Sequence, residues 1–175
     1  MKGGDTGKKD DIGSRWRDDL KAILRQRPCE LVGIGNPIRR DDSAGLFVIR
    51  HLRKKYGKHP SEGVVIHDPI TAPELVRLKL SYKNARVIVF DSAEMNMKPG
   101  SIMLANISDS RYGFFATHNI PLKLIPYFAE HPEKTWIVGI QPEDVSIGEG
   151  LSNTAMKSVK ELVSFFGIIF EGEAE

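Results

Sequence analysis

One cysteine, Cys29, stands in the whole chain, so no internal disulfide can form and no zinc site can be built on clustered thiolates. Such thiol-poor composition fits a reducing, cytoplasmic setting. The longest apolar stretch, around Phe165-Phe166-Gly167-Ile168-Ile169-Phe170, falls far short of the roughly 20 residues a membrane-spanning helix needs. Met1-Lys2-Gly3-Gly4-Asp5 leads into mixed charges without the apolar core of a secretory signal. No large excess of one charge exists either: the formal net charge of +2 calls for no polyanionic partner such as nucleic acid. Ser43 and Ser92 lack a nucleophile-elbow pattern, which removes support for serine-hydrolase chemistry. The Gly33-Ile34-Gly35 turn lacks the third glycine of a dinucleotide loop, because Pro37-Ile38 stand where it would fall.

What is present is enough for one domain: 175 residues, 41% of them hydrophobic, provide an ample core. Residues 1–13 are rich in Gly, Lys and Asp and are expected to form a flexible leader. Trp16, Leu20, Ile23 and Leu24 recur at helical spacing until Arg27-Pro28, so 14–28 is an N-terminal amphipathic helix, and 29–175 is a single α/β domain. Within it, strands are expected at Leu31–Gly35, Val64–Ile66, Arg86–Phe90 and Thr135–Ile140. A further strand, Ser101–Leu104, follows the turn-forming Lys98-Pro99-Gly100 and is expected antiparallel at an edge. The intervening helices carry the stripes Leu46, Ile49, Leu52 and Tyr56; Leu75, Leu78 and Leu80; Leu122, Ile125 and Phe128; and Met156, Val159, Leu162, Val163 and Phe166. Asp42 or Ser43 is expected to cap the first of these. Strands alternating with helices give a three-layer α/β/α sandwich around a mostly parallel five-stranded sheet.

Three polar segments interrupt this apolar pattern: Gly35-Asn36-Pro37-Ile38-Arg39-Arg40-Asp41-Asp42, Asp91-Ser92-Ala93-Glu94 and Thr117-His118-Asn119. The first two follow strands and the third precedes a helix, and residues just past the carboxyl ends of parallel strands gather along one edge. Two carboxylates and an imidazole would converge there, a donor set suited to a borderline divalent metal. Of the adjacent pair Asp41 and Asp42, one can cap the helix while the other faces the cleft. His118 is the preferred histidine because Thr117 and Asn119 flank it and could orient its ring, with His67 a lesser candidate at the end of the second strand; His51, His59 and His131 belong to solvated surfaces. Cys29 reads as a small buried residue. The Gly35 turn, taken alone, also allows a non-catalytic α/β module that binds a flavin or a phosphate.

Five pieces in order carry a resemblance: Gly35-Asn36 with Asp41-Asp42-Ser43-Ala44-Gly45, then Thr71-Ala72-Pro73-Glu74, then Val89-Phe90-Asp91 with Lys98-Pro99-Gly100, then Thr117-His118-Asn119, then Gly139-Ile140-Gln141-Pro142. In these, from about Leu31 to Val163, the chain resembles the hydrogenase maturation proteases, which trim the C-terminus of the [NiFe]-hydrogenase large subunit. Gly-Ile-Gln-Pro and Thr-His-Asn are similar to the branch that serves formate-hydrogenlyase-type enzymes. Gly-Ile-Gly-Asn-Pro and Thr-His-Asn also resemble peptidyl-tRNA hydrolase, but there the two pieces share one short segment, whereas here most of the domain separates them. The chain departs from the first resemblance at Arg40, where relatives often have glycine, and in its N-terminal helix, which exceeds the usual start of the family.

The resemblance implies a cytoplasmic endopeptidase of aspartic or metal-dependent type, acting on the large-subunit precursor once nickel is loaded. It implies that Asp42, Asp91 and His118 contact metal, with the nickel presented by the precursor rather than permanently bound, and that neither nucleic acid nor membrane insertion is involved. Asp41, Glu94 and Asn119 are then candidates to orient those ligands.

Overall fold

The computed structural model describes residues 15–72, 76–108 and 131–172. Its elements run α1 (Trp16–Leu24), β1 (Cys29–Gly33), α2 (Ala44–Tyr56), β2 (Val64–Ile66), α3 (Val76–Lys79), β3 (Arg86–Ser92), β4 (Ile102–Asn106), β5 (Thr135–Ile140) and α4 (Asn153–Glu171). The sheet has five strands in the order β2-β1-β3-β5-β4. β1 pairs in parallel with β2 and β3, β3 in parallel with β5, and β4 antiparallel to β5 at the edge. This is the α/β sandwich that the alternation of apolar runs predicts, with the Pro99-Gly100 turn leading into the one antiparallel strand.

Each strand alternates its side chains between two apolar layers. On one face Leu31, Ile88, Phe90, Val138 and Ile140 pack against α1, α2 and α4. On the other, Val32, Val87, Val89 and Ile137 pack with Ile70, Val76 of α3, Ala93 and Met95. Helices of opposite faces thus connect β1 to β2 and β2 to β3, and the chain reverses direction across the sheet at the β1–β3 pair. Such a reversal leaves a crevice at the carboxyl ends of those two strands.

Two glycines bring α2 close enough to define that crevice. A Cβ on Gly45 would lie 2.1 Å from the carbonyl oxygen of Phe90 and 2.4 Å from that of Ile34, and a Cβ on Gly33 would lie 2.2 Å from the carbonyl oxygen of Gly45. The first turn of α2 therefore rests directly on the ends of β1 and β3.

Several boundaries differ from expectation. β1 begins at Cys29 and ends at Gly33, with Ile34 contributing only an isolated bridge to Ile70. The thiol lies inside the strand, fully buried, and burial pushes its pKa up to about 11. Ser43 does not cap α2 through its side chain; a 3₁₀ turn over Arg40–Ser43 leads into the helix, and Ser43 Oγ donates back to Arg40 O at 2.5 Å. The helix expected to open at Ala72-Pro73-Glu74 is described only from Val76 to Lys79, since residues 73–75 lie outside the described residues. The leader, residues 1–13, and the helix expected to bear Leu122, Ile125 and Phe128 also lie outside them.

α1 is part of the core. Trp16, Leu20, Ile23 and Leu24 are all buried, and the Trp16 ring meets Phe165 of α4 edge-on, with centroids 5.2 Å apart. Trp16→Ala should therefore cost about 3–5 kcal/mol, the usual penalty for truncating a buried large aromatic, measurable as a shift of the urea midpoint. A loss below about 1 kcal/mol would mark α1 as an accessory.

Candidate active site

Asp41 and Asp42 are neighbours in one tight turn, and the structure gives them different surroundings. Asp41 is fully buried. Its Oδ2 accepts from Glu143 N (2.9 Å), Asp144 N (3.1 Å) and Ser152 Oγ (2.8 Å), and its Oδ1 from Ser152 N (2.7 Å). A desolvated carboxylate is tolerated only when donors replace its water, and this one has them. Ser152 is the N-cap of α4, its Oγ accepting from Ala155 N at 3.1 Å, so Asp41 also ties the start of that helix to the turn after β1. Asp41, read from sequence as a residue orienting the ligands, makes its side-chain hydrogen bonds to the loop after β5 and the start of α4.

Asp42 is left for the crevice. It is half-buried, and burial raises its carboxyl pKa, with the Arg39 guanidinium acting in the opposite direction. Asp91, near the end of β3, is buried; its Oδ1 accepts from Ser92 N at 2.8 Å. Burial pushes the Asp91 carboxyl well above the ordinary carboxylate range, and the negative charge of Asp42 pushes it further, against the hydrogen bond from Ser92. The two strand-end acids predicted from sequence thus lie within electrostatic reach of each other at the β1–β3 crevice. His118, Thr117 and Asn119 lie outside the described residues. Among the described residues no three His, Cys, Asp or Glu side chains are grouped so as to hold a metal.

The turn that carries Asp42 is closed on itself. Asn36 N donates to Asp42 O, Ile38 N to Asn36 Oδ1, Arg39 N to Asn36 O, Arg40 N to Gly148 O, Asp41 N to Asp144 O and Asp42 N to Arg39 O. A Cβ on Gly35 would lie 2.2 Å from Asp42 O, so its small size serves close backbone contact. With these amides consumed, the turn offers no cradle for a phosphate, which argues against the flavin or phosphate module. Arg40 has φ of +35°, the conformation that glycine adopts freely and that fits the glycine expected of relatives here. Its side chain forms an ion pair with Asp144 at 3.2 Å.

Two more residues brace the crevice. Gln141, buried, accepts at Oε1 from Met95 N (2.7 Å) and Met97 N (3.3 Å) and donates from Nε2 to Glu94 Oε1 (2.9 Å). Gln141 thereby fixes the loop after Asp91, and Glu94, expected beside the ligands, is engaged there. In the sequence Gln141 stands only as part of a motif; its signal is a polar residue directly following an apolar strand. His67 is engaged by another acid, sharing a 2.5 Å hydrogen bond with buried Glu30, whose carboxylate also accepts from Ser81 N and Tyr82 N.

Fold and site together define an α/β protein with a pair of neighbouring aspartates, one buried and one half-buried, at one sheet edge. The Hydrogenase 3 maturation protease of Escherichia coli K12 is 31% identical over 119 residues, covering 66% of this chain and 73% of its own. The chain belongs to the hydrogenase maturation protease family. The solved structure of the [NiFe] hydrogenase maturation protease HycI of Thermococcus kodakarensis superposes with a TM-score of 0.69 at 19% identity, covering 87% of this chain and 99% of its own. The hydrogenase maturating endopeptidase HybD of E. coli does so with a TM-score of 0.64 at 19% identity, covering 85% and 94%. No family model matches.

The two aspartates should respond unequally to truncation. Asp41→Ala strands three backbone amides and a hydroxyl, and should cost about 3 kcal/mol or more in denaturant unfolding, while Asp42→Ala should cost less than about 1 kcal/mol. Equal losses would contradict the division of labour.

A second outcome follows from pH. The native Asp91 carboxyl binds its proton more tightly than an unfolded aspartate, so its contribution is present at low pH and is lost as pH rises above about 4, up to the raised native value. Asp91→Asn should therefore melt higher than the parent at pH 7, with the gap closing toward pH 4. A variant that melts lower at pH 7 would show that the charged form is the one the fold supports.

Proposed function

We propose that this protein is the endopeptidase that removes the C-terminal extension of a nickel-loaded [NiFe]-hydrogenase large-subunit precursor, working in the cytoplasm. The observation that carries this reading is the Asp42–Asp91 pair: two acids, raised by burial and, at Asp91, by the neighbouring charge, at the crevice of a family whose members process hydrogenases. Such a pair is stabilised in its charged form by a divalent cation. Asp42, Asp91 and His118 are the residues that would engage nickel carried in by the precursor, through oxygen and nitrogen donors. Bound there, the metal would polarise the scissile carbonyl or acidify a water. Asp41 holds the turn that presents Asp42, and Gln141 holds the loop after Asp91, so both acids are fixed before substrate arrives.

The kinship with the Hydrogenase 3 protease supports a substrate of that type. No described helix is long and apolar enough to cross a membrane, and neither membrane insertion nor nucleic acid enters the scheme.

Incubation with precursor, followed by mass measurement of its C-terminus, tests the reading. Nickel-loaded precursor should be trimmed once and nickel-free precursor left intact. Asp91→Asn and His118→Ala should each slow trimming by about a hundredfold or more while keeping the fold. Equal trimming of nickel-free precursor by metal-free protein would overturn the mechanism; a yellow protein that leaves every precursor uncut would favour the binding module.

A further inference from the structure

Five large apolar side chains are exposed among the described residues, and three of them share one place in the fold: Ile38 (60%), Val145 (38%) and Ile147 (84%). Single exposed apolar residues are ordinary on protein surfaces, whereas a cluster calls for an explanation. Ile38 belongs to the turn after β1, Val145 and Ile147 to the loop after β5. The two segments are laced together by Gly148 N donating to Ile38 O (3.0 Å), Arg40 N to Gly148 O (2.9 Å), Asp41 N to Asp144 O (3.0 Å) and Arg39 Nε to Val145 O (3.1 Å). Beneath them the Asp41 carboxylate holds Glu143 N, Asp144 N and Ser152 N. The rim is thus braced in advance, and docking on it costs little ordering of the loops.

The rim adjoins the segment that carries Asp42: Ile38 precedes Asp42 by four residues in the same turn. The three side chains together expose on the order of a few hundred Å², well below the roughly 800 Å² per partner of a stable dimer. The surface is therefore sized for a short segment of chain rather than for a second copy of the protein.

We infer that Ile38, Val145 and Ile147 form the docking rim for apolar side chains of an extended substrate segment beside the bond that is cut. This rests on the endopeptidase reading above and adds to it where and how the polypeptide is gripped. The rim acts on binding, while Asp42 and Asp91 act at the reacting centre.

Steady-state trimming of nickel-loaded precursor tests it, using the parent, Ile147→Ser, the double variant Ile38→Ser with Ile147→Ser, and Ile168→Ser as a control. Ile168 is also exposed (71%) but lies fifteen residues beyond Asn153 along α4, about 22 Å from the site end of that helix. The double variant should raise KM by about tenfold or more, with kcat reduced less than twofold and an unchanged melting temperature; Ile147→Ser alone should raise KM by a smaller factor. Ile168→Ser should match the parent. An unchanged KM in the double variant, with the parent trimming normally, would overturn the rim alone. A parent that sediments as a dimer and a double variant that sediments as a monomer would also overturn it, by assigning the surface to self-association. A parent that cuts no precursor would remove the endopeptidase reading and this inference with it.

Discussion

A buried carboxylate organises the functional end of this molecule. Asp41 has given up water entirely, and a naked anion in that position would be among the most costly features a fold can contain. It is kept because four donors from Glu143, Asp144 and Ser152 surround it. Those donors come from a loop about a hundred residues further along the chain, so the hydrogen bonds are also the joint between the first βα turn and the segment leading into α4. Everything nearby inherits its position from that joint: Asp42, the next residue, goes to the crevice, and the backbone lacing of Ile38–Asp41 to Asp144–Gly148 has a fixed base.

Glycine does the complementary work on the other side of Asp42. Because Gly45 has no side chain, the start of α2 sits against the carbonyls of Ile34 and Phe90, which brings the turn after β1 within electrostatic range of the end of β3. Close packing here also excludes water, and that exclusion raises both carboxyls, Asp91 well above the ordinary carboxylate range. The geometry and the electrostatics of the pair therefore have one origin.

The parts of this arrangement legible in the sequence were those with local signals. Apolar runs of strand length and 3.6-residue stripes mark the five strands, α1, α2 and α4; a polar residue at the end of an apolar strand marks Asp91, while only the family resemblance singles out Asp42 from the acidic pair. The adjacent Asp41 and Asp42 could not be told apart by spacing, because what separates them is a set of amides remote in sequence. Glu30 was hidden for the same reason: an acid inside a strand looks like a solvated residue until His67, Ser81 and Tyr82 are seen around it. The positive φ of Arg40 left only an indirect trace, a glycine expected where an arginine stands.

The raised carboxyls bear on selectivity under the endopeptidase reading. Burial raises both carboxyls, and an acid that holds its proton more tightly is a weaker ligand until a cation displaces that proton. A divalent cation changes this, because its charge offsets both the burial cost at the two acids and the push of Asp42 on Asp91, and it is bound as the protons leave. If the cation arrives already seated in the substrate, its engagement by the two acids favours a loaded precursor over an unloaded one. Affinity for polypeptide can then be supplied separately, by contacts outside the pair, without exposing unrelated chains to cleavage. Dividing recognition in this way lets a small domain bind a peptide segment loosely and still discriminate sharply, since the bond is cut only where weak binding and the cation coincide.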